Sequence, residues 1–356
     1  MRLRSVYDTW GSPMKTFKRH LLQYFLVLIG FCVALLLAEG FVRVYYPYSR
    51  DHVIPGGLFE IDDYLGWKLA EGKTAIHHSR YFEATYRINT FGYRSKPRKL
   101  SKDEDKYRIL LYGDSQIFGW GILAEQRFSN LIETQKPHLE IWNLAVPGYG
   151  LDQEVLSYEK QGQLLNADEV IFTVSRATLH RARYDYIYRK HKPKFVIDES
   201  GSLRLVRVQQ GTNVWTRLFY RVLNPLYLPY FVDRRLAMLK RTPKQAGDAP
   251  DQKTAEGSDE IGELDKRILD RARNLARERK HHMTIIADLT KTSGKDLKKF
   301  CDQNGIGFLQ IILPKEDPDI VFGKHDSHWN PQAHELITEQ LLSQLGTRIR
   351  PTMEDM

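Results

Sequence analysis

The hydrophobic residues of this chain follow two patterns, one near its start and one over the rest. Residues 21–38 (LLQYFLVLIGFCVALLLA) are apolar apart from Gln23. At about 1.5 Å per residue, eighteen helical residues span about 27 Å, close to the thickness of a bilayer's hydrocarbon core. The run therefore predicts a membrane-spanning helix. A buried core helix and a cleaved signal peptide are the alternatives, although the run is long for a signal peptide.

The flanks of the apolar run predict its orientation. Basic residues precede it, opposed only by Asp8, and tyrosines follow it: Arg2, Arg4, Lys15, Lys18, Arg19, then Tyr45, Tyr46 and Tyr48. Positive flanks stay in the cytoplasm, and tyrosines are enriched where a helix leaves the membrane. We expect residues 1–20 to be a cytoplasmic tail and residues 21–44 an uncleaved anchor. The rest would be periplasmic or extracellular, and the chain would cross a bacterial inner membrane once.

From residue 107 onward, short apolar strands alternate with helical stretches. Strands are predicted at 108–112, 140–144, 169–174, 283–287 and 307–313, and helices at 124–135, 151–165, 261–280, 294–303 and 331–346. This alternation predicts a parallel sheet with helices on both faces. Residues 101–350 would form this domain, and residues 45–100 an extracytoplasmic approach segment with few helical signals.

An insertion at residues 190–260 interrupts the alternation. Residues 194–208 predict a β-hairpin around Ser200 and Gly201. Residues 241–260 lack apolar periodicity, which predicts an exposed, mobile linker.

Composition narrows the class of protein. The 356 residues are 42% hydrophobic and 27% charged, which excludes global disorder and a polytopic membrane protein. Only two cysteines are present, Cys32 in the apolar run and Cys301 far beyond it, so no disulfide is expected. The net charge of +9 suggests an anionic partner. Nucleic acid is not expected, because the body of the protein is placed outside the cytoplasm.

Two polar stretches at predicted strand ends carry candidate chemistry. Ser115 follows the first predicted strand directly, in the sequence Gly-Asp-Ser, and the carboxyl ends of parallel strands are where such sheets bind ligands. A serine becomes a nucleophile when a histidine takes its proton and an acid orients that histidine. His328 and Asp326 lie together before the last predicted helix and supply that pair.

Other interpretations of these residues remain open. Ser115 is also a plausible helix cap, and the stretch before Asn330 a plausible capping turn. A metal site with His325 as a further ligand would need a third donor that the sequence does not mark. We expect no metal and no cofactor.

Residues 143–150 (NLAVPGYG) form a third stretch, after the second predicted strand. Glycines let backbone N–H groups approach a ligand closely. Together with the N–H of Ser115, such groups would stabilise a tetrahedral oxyanion. A plain glycine-rich turn is the alternative.

Taken together, these stretches resemble the SGNH (GDSL-type) hydrolase superfamily in its membrane-anchored bacterial form. The likeness covers residues 86–180 and 283–345, about half of the chain. It implies a three-layer α/β/α, flavodoxin-like parallel sheet. It also implies that Ser115 is the nucleophile, His328 the base and Asp326 the acid. Oxyanion or substrate-binding roles would fall on the following residues: Gly148, Gly150, Thr178 and Asn330, with Gly148 the favoured glycine.

The third block of the family departs from the pattern here. Residues 174–179 (VSRATL) stand where relatives carry an oxyanion-binding Asn, and Thr178 is nearest to that position. Losing one oxyanion donor lowers the rate by about 10²–10³.

The resemblance and the predicted location together indicate a function. We expect a membrane-anchored serine esterase or acyl-transfer enzyme that acts on O-acyl groups, chiefly O-acetyl, of an envelope or exported glycan. The alternatives are a catalytically weak or inactive glycan-binding or assembly component, and a lipid-directed lipase or thioesterase. Predicted partners are the acylated glycan or other ester substrate and, through residues 21–44, the membrane; the sequence does not identify protein partners.

Overall fold

The computed structural model describes residues 12–46, 55, 57–188, 190–207, 226–229, 231–232, 235, 261–314, 318–323 and 326–345. The predicted linker at 241–260, His325 and residues 1–11 of the predicted tail lie outside the described residues.

Strands and helices are numbered in chain order. The strands are β1 (Phe59–Asp62), β2 (Gly66–Leu69), β3 (Thr74–His78), β4 (Glu83–Arg87), β5 (Tyr107–Tyr112), β6 (Leu139–Asn143), β7 (Glu169–Ser175), β8 (Tyr186–Ile187), β9 (Lys190–His191), β10 (Lys194–Ile197), β11 (Leu203–Val206), β12 (His282–Asp288), β13 (Gly307–Gln310), β14 (Val321–Gly323) and β15 (Asp326–Trp329). The helices are α1 (Ser12–Tyr45), α2 (Ser115–Phe118), α3 (Phe128–Gln135), α4 (Leu151–Gln161), α5 (Arg176–Arg181), α6 (Glu263–Glu278), α7 (Lys291–Asn304) and α8 (Pro331–Leu345).

A parallel sheet forms the centre of the main domain. Its strand order is β13-β12-β7-β5-β6, and every neighbouring pair runs parallel. The chain leaves β5 toward β6 and then returns to β7 on the other side of β5. This reversal opens a crevice at the carboxyl ends of β5 and β7, the usual ligand position in such sheets.

Helices cover both faces of the sheet. Helix α3 packs against α8, and α4 packs against α6. Right-handed crossovers between parallel strands place these two pairs on opposite faces. The predicted three-layer α/β/α architecture is therefore confirmed.

Several predicted element boundaries moved for local reasons. The predicted helix at 124–135 is a 3₁₀ turn at Ala124–Gln126 followed by α3, with the buried Arg127 between them. Helix α7 begins earlier than predicted because Thr290 caps it: its side-chain oxygen accepts the N–H of Ser293. The predicted hairpin at 194–208 is present as β10 and β11.

The approach segment contains strands that the sequence pattern did not reveal. Strands β1 and β2 form one antiparallel hairpin, and β3 and β4 another. Their residues Trp67, Leu69 and Tyr86 are buried in the same core as the central sheet. In β3 the polar His77 is buried while Ile76 is 54% exposed, which reverses the usual apolar-inside pattern.

Helix α1 stands out from the core. Its residues Phe17–Tyr45 are long and apolar enough to cross a membrane, and its side chains from residue 17 to residue 37 are exposed. Cys32 on α1 and the buried Cys301 are both free thiols.

The last turns of α1 contact a later part of the chain. The Glu39 carboxylate accepts the N–H groups of Tyr227, at 2.9 Å, and Leu228, at 2.8 Å. Arg43 donates to the same carboxylate at 2.7 Å, and the Tyr46 ring lies 4.8 Å from that of Phe231. This α1 contact joins the predicted anchor to the insertion.

Candidate active site

Ser115 lies at the carboxyl end of β5, at the crevice of the sheet. Gly113 makes the turn possible, since a Cβ there would lie 2.4 Å from the Ile117 side chain and 2.6 Å from Thr173 Oγ1. Asp114 caps α2: its Oδ1 accepts the Gln116 N–H at 2.9 Å. The strand, the glycine and the cap together hold Ser115 at the first position of the helix.

The hairpin of β14 and β15 brings His328 and Asp326 to Ser115. His328 Nε2 lies 2.9 Å from Ser115 Oγ, and His328 Nδ1 lies 2.7 Å from Asp326 Oδ1. The acid side chain is 4% exposed and the histidine side chain 23% exposed. The structure thus joins all three predicted residues in the arrangement of a serine hydrolase triad.

Gln116 fixes the hairpin against α2. Its Nε2 donates to the carbonyl of Ser327 at 3.2 Å, and its Oε1 accepts the N–H of Trp329 at 2.9 Å. Both contacts flank His328, so the residue after Ser115 sets the position of His328. The sequence carried no signal for this role.

The N–H groups of Gly148 and Ser115 are the candidates for the oxyanion site. Gly148 has a φ of +86°, a conformation that favours glycine. Neither N–H donates a hydrogen bond within the described part of the chain. In contrast, the Gly150 N–H donates to Gln153 Oε1 at 3.2 Å and caps α4. The geometry therefore favours Gly148 over Gly150 as an oxyanion donor.

Thr178 lies on α5, where its hydroxyl belongs to a capping box. Thr178 Oγ1 accepts the Ser175 N–H at 2.9 Å and donates to the Ser175 carbonyl at 3.0 Å. It is buried, with its hydrogen bonds used within its own turn.

Asn330 caps α8. Its Oδ1 accepts the Ala333 N–H at 3.1 Å, and its Nδ2 donates to the carbonyls of Asp319, at 2.5 Å, and Val321, at 3.4 Å. Asn330 therefore holds the β14–β15 hairpin to α8, which is a structural role.

Arg181 links the two loops that carry the N–H donors. Its Nη1 donates to Asp114 Oδ2 at 2.8 Å and to the Tyr149 carbonyl at 3.0 Å. Burial by itself lowers the pKa of Arg181, but Tyr188 and the Asp114 carboxylate outweigh it and raise that pKa. Arg181 therefore stays charged and ties the loop of Ser115 to the loop of Gly148.

A buried carboxyl lies behind the site. Glu154 on α4 is fully buried, and burial together with the nearby Asp114 charge raises its pKa well above its usual range. Beside it, Asp152 forms a buried ion pair with Lys192. Burial raises the pKa of Asp152 and lowers that of Lys192, with each partner opposing the shift of the other.

Cavity size does not locate this site. A cavity of about 380 Å³ lies at the opposite, amino-terminal edge of the sheet, near Tyr107, Arg273 and His281. The cavity beside the nucleophile, lined in part by Asp114 and Ile117, measures about 10 Å³. The triad geometry therefore identifies the site.

No protein-family model and no curated protein matches the chain. Among solved structures, it is similar to a member of the lipolytic protein G-D-S-L family from Veillonella parvula, with 12% identity, a TM-score of 0.36, and coverage of 68% of this chain and 100% of that chain. It is also similar to a psychrotrophic esterase from Pseudoalteromonas sp. (9% identity, TM-score 0.38, coverage 68% and 98%). A third such structure is a catalytic mutant of an acetylxylan esterase from Geobacillus stearothermophilus (10%, 0.37, 67% and 94%).

The chain resembles the SGNH (GDSL-type) hydrolases. Its own strand order and the joined residues Ser115, His328 and Asp326 agree with the fold and site that its motifs predict.

Proposed function

We propose that this chain is a membrane-anchored serine esterase or acyltransferase that acts on O-acyl groups of an envelope or exported glycan. The observation that carries the proposal is the hydrogen-bonded series Ser115 Oγ, His328 and Asp326, at 2.9 Å and 2.7 Å. This series has the geometry that activates a serine hydroxyl.

In the first step, Ser115 Oγ attacks the ester carbonyl carbon while His328 Nε2 takes its proton. A C–O bond forms, and the carbonyl π electrons move to oxygen. The N–H groups of Ser115 and Gly148 stabilise that oxyanion, and Asp326 stabilises the imidazolium.

In the second step, the oxyanion collapses and the bond to the leaving alkoxide breaks. His328 gives its proton to that alkoxide, which leaves as an alcohol. Water or a sugar hydroxyl then attacks the acyl-Ser115 carbonyl with His328 as base, and Ser115 is regenerated.

The length of the acyl group separates the esterase from the lipid-directed lipase or thioesterase. We propose acetyl, because the predicted location outside the cytoplasm favours an O-acylated glycan as the substrate. Activity on a series of 4-nitrophenyl esters should fall steeply from acetate to octanoate; a rise with chain length would favour the lipase.

Thr178 favours a second candidate, a catalytically weak glycan-binding or assembly component. Its hydroxyl is held in the capping box of α5, at the position where relatives carry an oxyanion-binding Asn. Loss of one oxyanion donor corresponds to about 10²–10³ in rate.

Hydrolysis of 4-nitrophenyl acetate separates the two candidates. For the enzyme, Ser115→Ala abolishes turnover above background, while the surface control Ser343→Ala retains it. Equal rates for wild type and Ser115→Ala would contradict the enzyme and support the binding component.

We place the catalytic domain outside the cytoplasm, anchored by residues 21–44. The proposal is supported by the exposed, apolar α1 and by the basic residues before it. Alkaline phosphatase fused after residue 356 should be active in a bacterial host, whereas an active cytoplasmic reporter at the same point would reverse the orientation.

A further inference from the structure

The short hairpin of β8 and β9 holds a strained residue beside the candidate active site. Tyr188, in its turn, has a φ of 53°, in the left-handed region that bulky residues rarely adopt. Such a conformation is strained and persists where the surroundings enforce it, often at ligand sites. The strained backbone at Tyr188 therefore marks this turn as a candidate ligand site.

The Tyr188 ring lies against the loop at residues 143–150, which contains Gly148 and is called the oxyanion loop below. A Cβ on Gly148 would be 3.0 Å from Tyr188 Cε2 and 3.3 Å from Trp67 Cζ2. The Arg181 guanidinium, which binds Asp114, lies 6.0 Å from the centroid of the Tyr188 ring. Because Tyr188 is 43% exposed, its ring forms an accessible wall next to the N–H groups of the acyl-transfer centre.

Lys190, at the start of β9, is a cation whose neighbours in the described part of the chain are aromatic rings. Its Nζ lies 4.5 Å from the Phe59 ring centroid and 5.3 Å from that of Trp67. No carboxylate pairs with it among the described residues, whereas Lys192 pairs with Asp152 and Lys194 with Asp185. Burial lowers the pKa of Lys190 to about 8.

Trp67 connects these two side chains. It lies near both the Gly148 position and Lys190 Nζ, and its Nε1 donates to the Pro147 carbonyl at 3.2 Å. Trp67 thus joins Lys190 to the loop against which the Tyr188 ring lies.

We propose that Tyr188 and Lys190 form a subsite for an acidic saccharide, in which the Tyr188 ring stacks on a sugar ring and Lys190 Nζ binds an anionic group on that sugar. This subsite rests on the proposed function, because it names the glycan whose acyl group reaches Ser115.

The chemistry of the rim selects this class of ligand. The C–H face of a sugar packs on an exposed aromatic ring, and the ring's negative face favours the contact. A partly buried lysine with no counter-ion among the described residues is stabilised by an anion that binds its ammonium. A neutral glycan would use Tyr188 and leave Lys190 unpaired.

The test measures binding and needs no turnover. Full-length Ser115→Ala protein in nanodiscs is titrated by calorimetry with tri-galacturonate and with a neutral trisaccharide of matched size. We expect tri-galacturonate to bind at least about tenfold more tightly. A phosphorylated sugar run in parallel shows whether Lys190 prefers carboxylate or phosphate, and preferential binding of either anion over its neutral counterpart supports the subsite.

Substitutions assign the preference to the two residues. Lys190→Met should remove the roughly tenfold preference for the acidic sugar, and Lys190→Arg should keep it. The matched control Lys194→Met, which alters a paired lysine nearby, should also keep it. Tyr188→Gly, which removes the ring and relieves the backbone strain, should weaken binding of both sugars.

Two results would overturn the subsite: no preference for either anionic sugar, or a preference that survives Lys190→Met in a variant that unfolds like wild type. Failure of the esterase would be seen separately, as wild-type protein without turnover of 4-nitrophenyl acetate, and would leave the binding result intact.

Discussion

The hydrogen bonds of His328 fix both its direction and its tautomer. Asp326 Oδ1 lies 2.7 Å from Nδ1 and also accepts the backbone N–H of His328 at 3.1 Å. A carboxylate accepts only, so Nδ1 carries the proton and Nε2 faces Ser115 with its lone pair free to accept. Asp326 therefore orients His328 so that Nε2 can accept the proton of Ser115.

Replacing Asp326 by Asn should separate geometry from charge. Asp326→Asn keeps the shape but lets Nδ1 face an amide, which favours the wrong tautomer and removes the charge that stabilises the imidazolium. We expect kcat for 4-nitrophenyl acetate to fall by about 10³–10⁴, with little change in KM. The exposed control Asp302→Asn should behave like wild type, and a loss below tenfold in Asp326→Asn would remove Asp326 from the triad.

At the scale of elements, the site is assembled where α2 meets the β14–β15 hairpin. Gln116 on α2 makes two hydrogen bonds to the backbone of β15, on either side of His328. The two elements lie far apart in sequence. The Gln116 side chain therefore fixes the position of β15 relative to α2.

Gln116→Leu should loosen the base without removing it. Two hydrogen bonds of about 1 kcal/mol each are lost, and the buried N–H of Trp329 loses its partner. We expect kcat to fall by about 10- to 100-fold with KM nearly constant, and Gln116→Glu, which keeps the acceptor, to recover part of that loss. An unchanged kcat in Gln116→Leu would show that the hairpin holds His328 unaided.

His334 on α8 couples the packing of helices to pH. It is fully buried, stacks on Phe128 at 5.7 Å between ring centroids, and accepts the Phe128 N–H through Nδ1 at 3.3 Å. Burial, reinforced by the charges of Arg127 and Arg94, lowers its pKa from 6.5 to about 3. The folded protein therefore holds His334 neutral, while the unfolded chain takes up a proton below about pH 6.5.

The stability that neutral His334 contributes is fully present above pH 6.5 and is lost as the pH falls toward 3. By linkage, this group should lower the free energy of unfolding by up to about 4 kcal/mol across that window. Urea denaturation at pH 7 and pH 5 should show a smaller difference in His334→Gln than in wild type. The exposed control His282→Gln should match wild type. An equal change in the free energy of unfolding between pH 7 and pH 5 in all three proteins would show that His334 does not cause the pH dependence.

The sequence predicted the central sheet and the triad because both rest on local patterns. Ser115, Asp326 and His328 each lie in a short polar stretch that directly follows or precedes a regular element. The hairpins of the approach segment escaped prediction because their strands are short and β3 buries His77 while exposing Ile76. The roles of Gln116, Arg181 and Tyr188 depend on contacts between distant segments, which periodicity does not report.

On the scale of the whole molecule, the α1 contact joins the predicted anchor to Tyr227, Leu228 and Phe231 of the insertion. Glu39 and Val42 lie three residues apart on one face of α1, and both are buried, whereas residues 17–37 are exposed. The Glu39 carboxylate holds two backbone N–H groups, which are charge-assisted bonds. We infer that the contact holds these residues of the insertion against the end of α1.

Amide hydrogen exchange tests the α1 contact in the full chain in nanodiscs. In Glu39→Ala the N–H groups of Tyr227 and Leu228 lose their acceptor, so their exchange should speed up about tenfold or more. The exposed control Glu263→Ala should leave that exchange unchanged. Equal exchange in wild type and Glu39→Ala would show that Glu39 does not protect these N–H groups.

The central claim is that Ser115 is a nucleophile activated by His328. Mass spectrometry after treatment with a 4-nitrophenyl alkylphosphonate tests it most directly, because the reagent leaves a stable adduct on an activated serine. We predict one adduct per chain on the peptide that contains Ser115, at least about 10³ slower labelling in His328→Ala, and none in Ser115→Ala. An unlabelled Ser115, or equal labelling rates in wild type and His328→Ala, would contradict the claim.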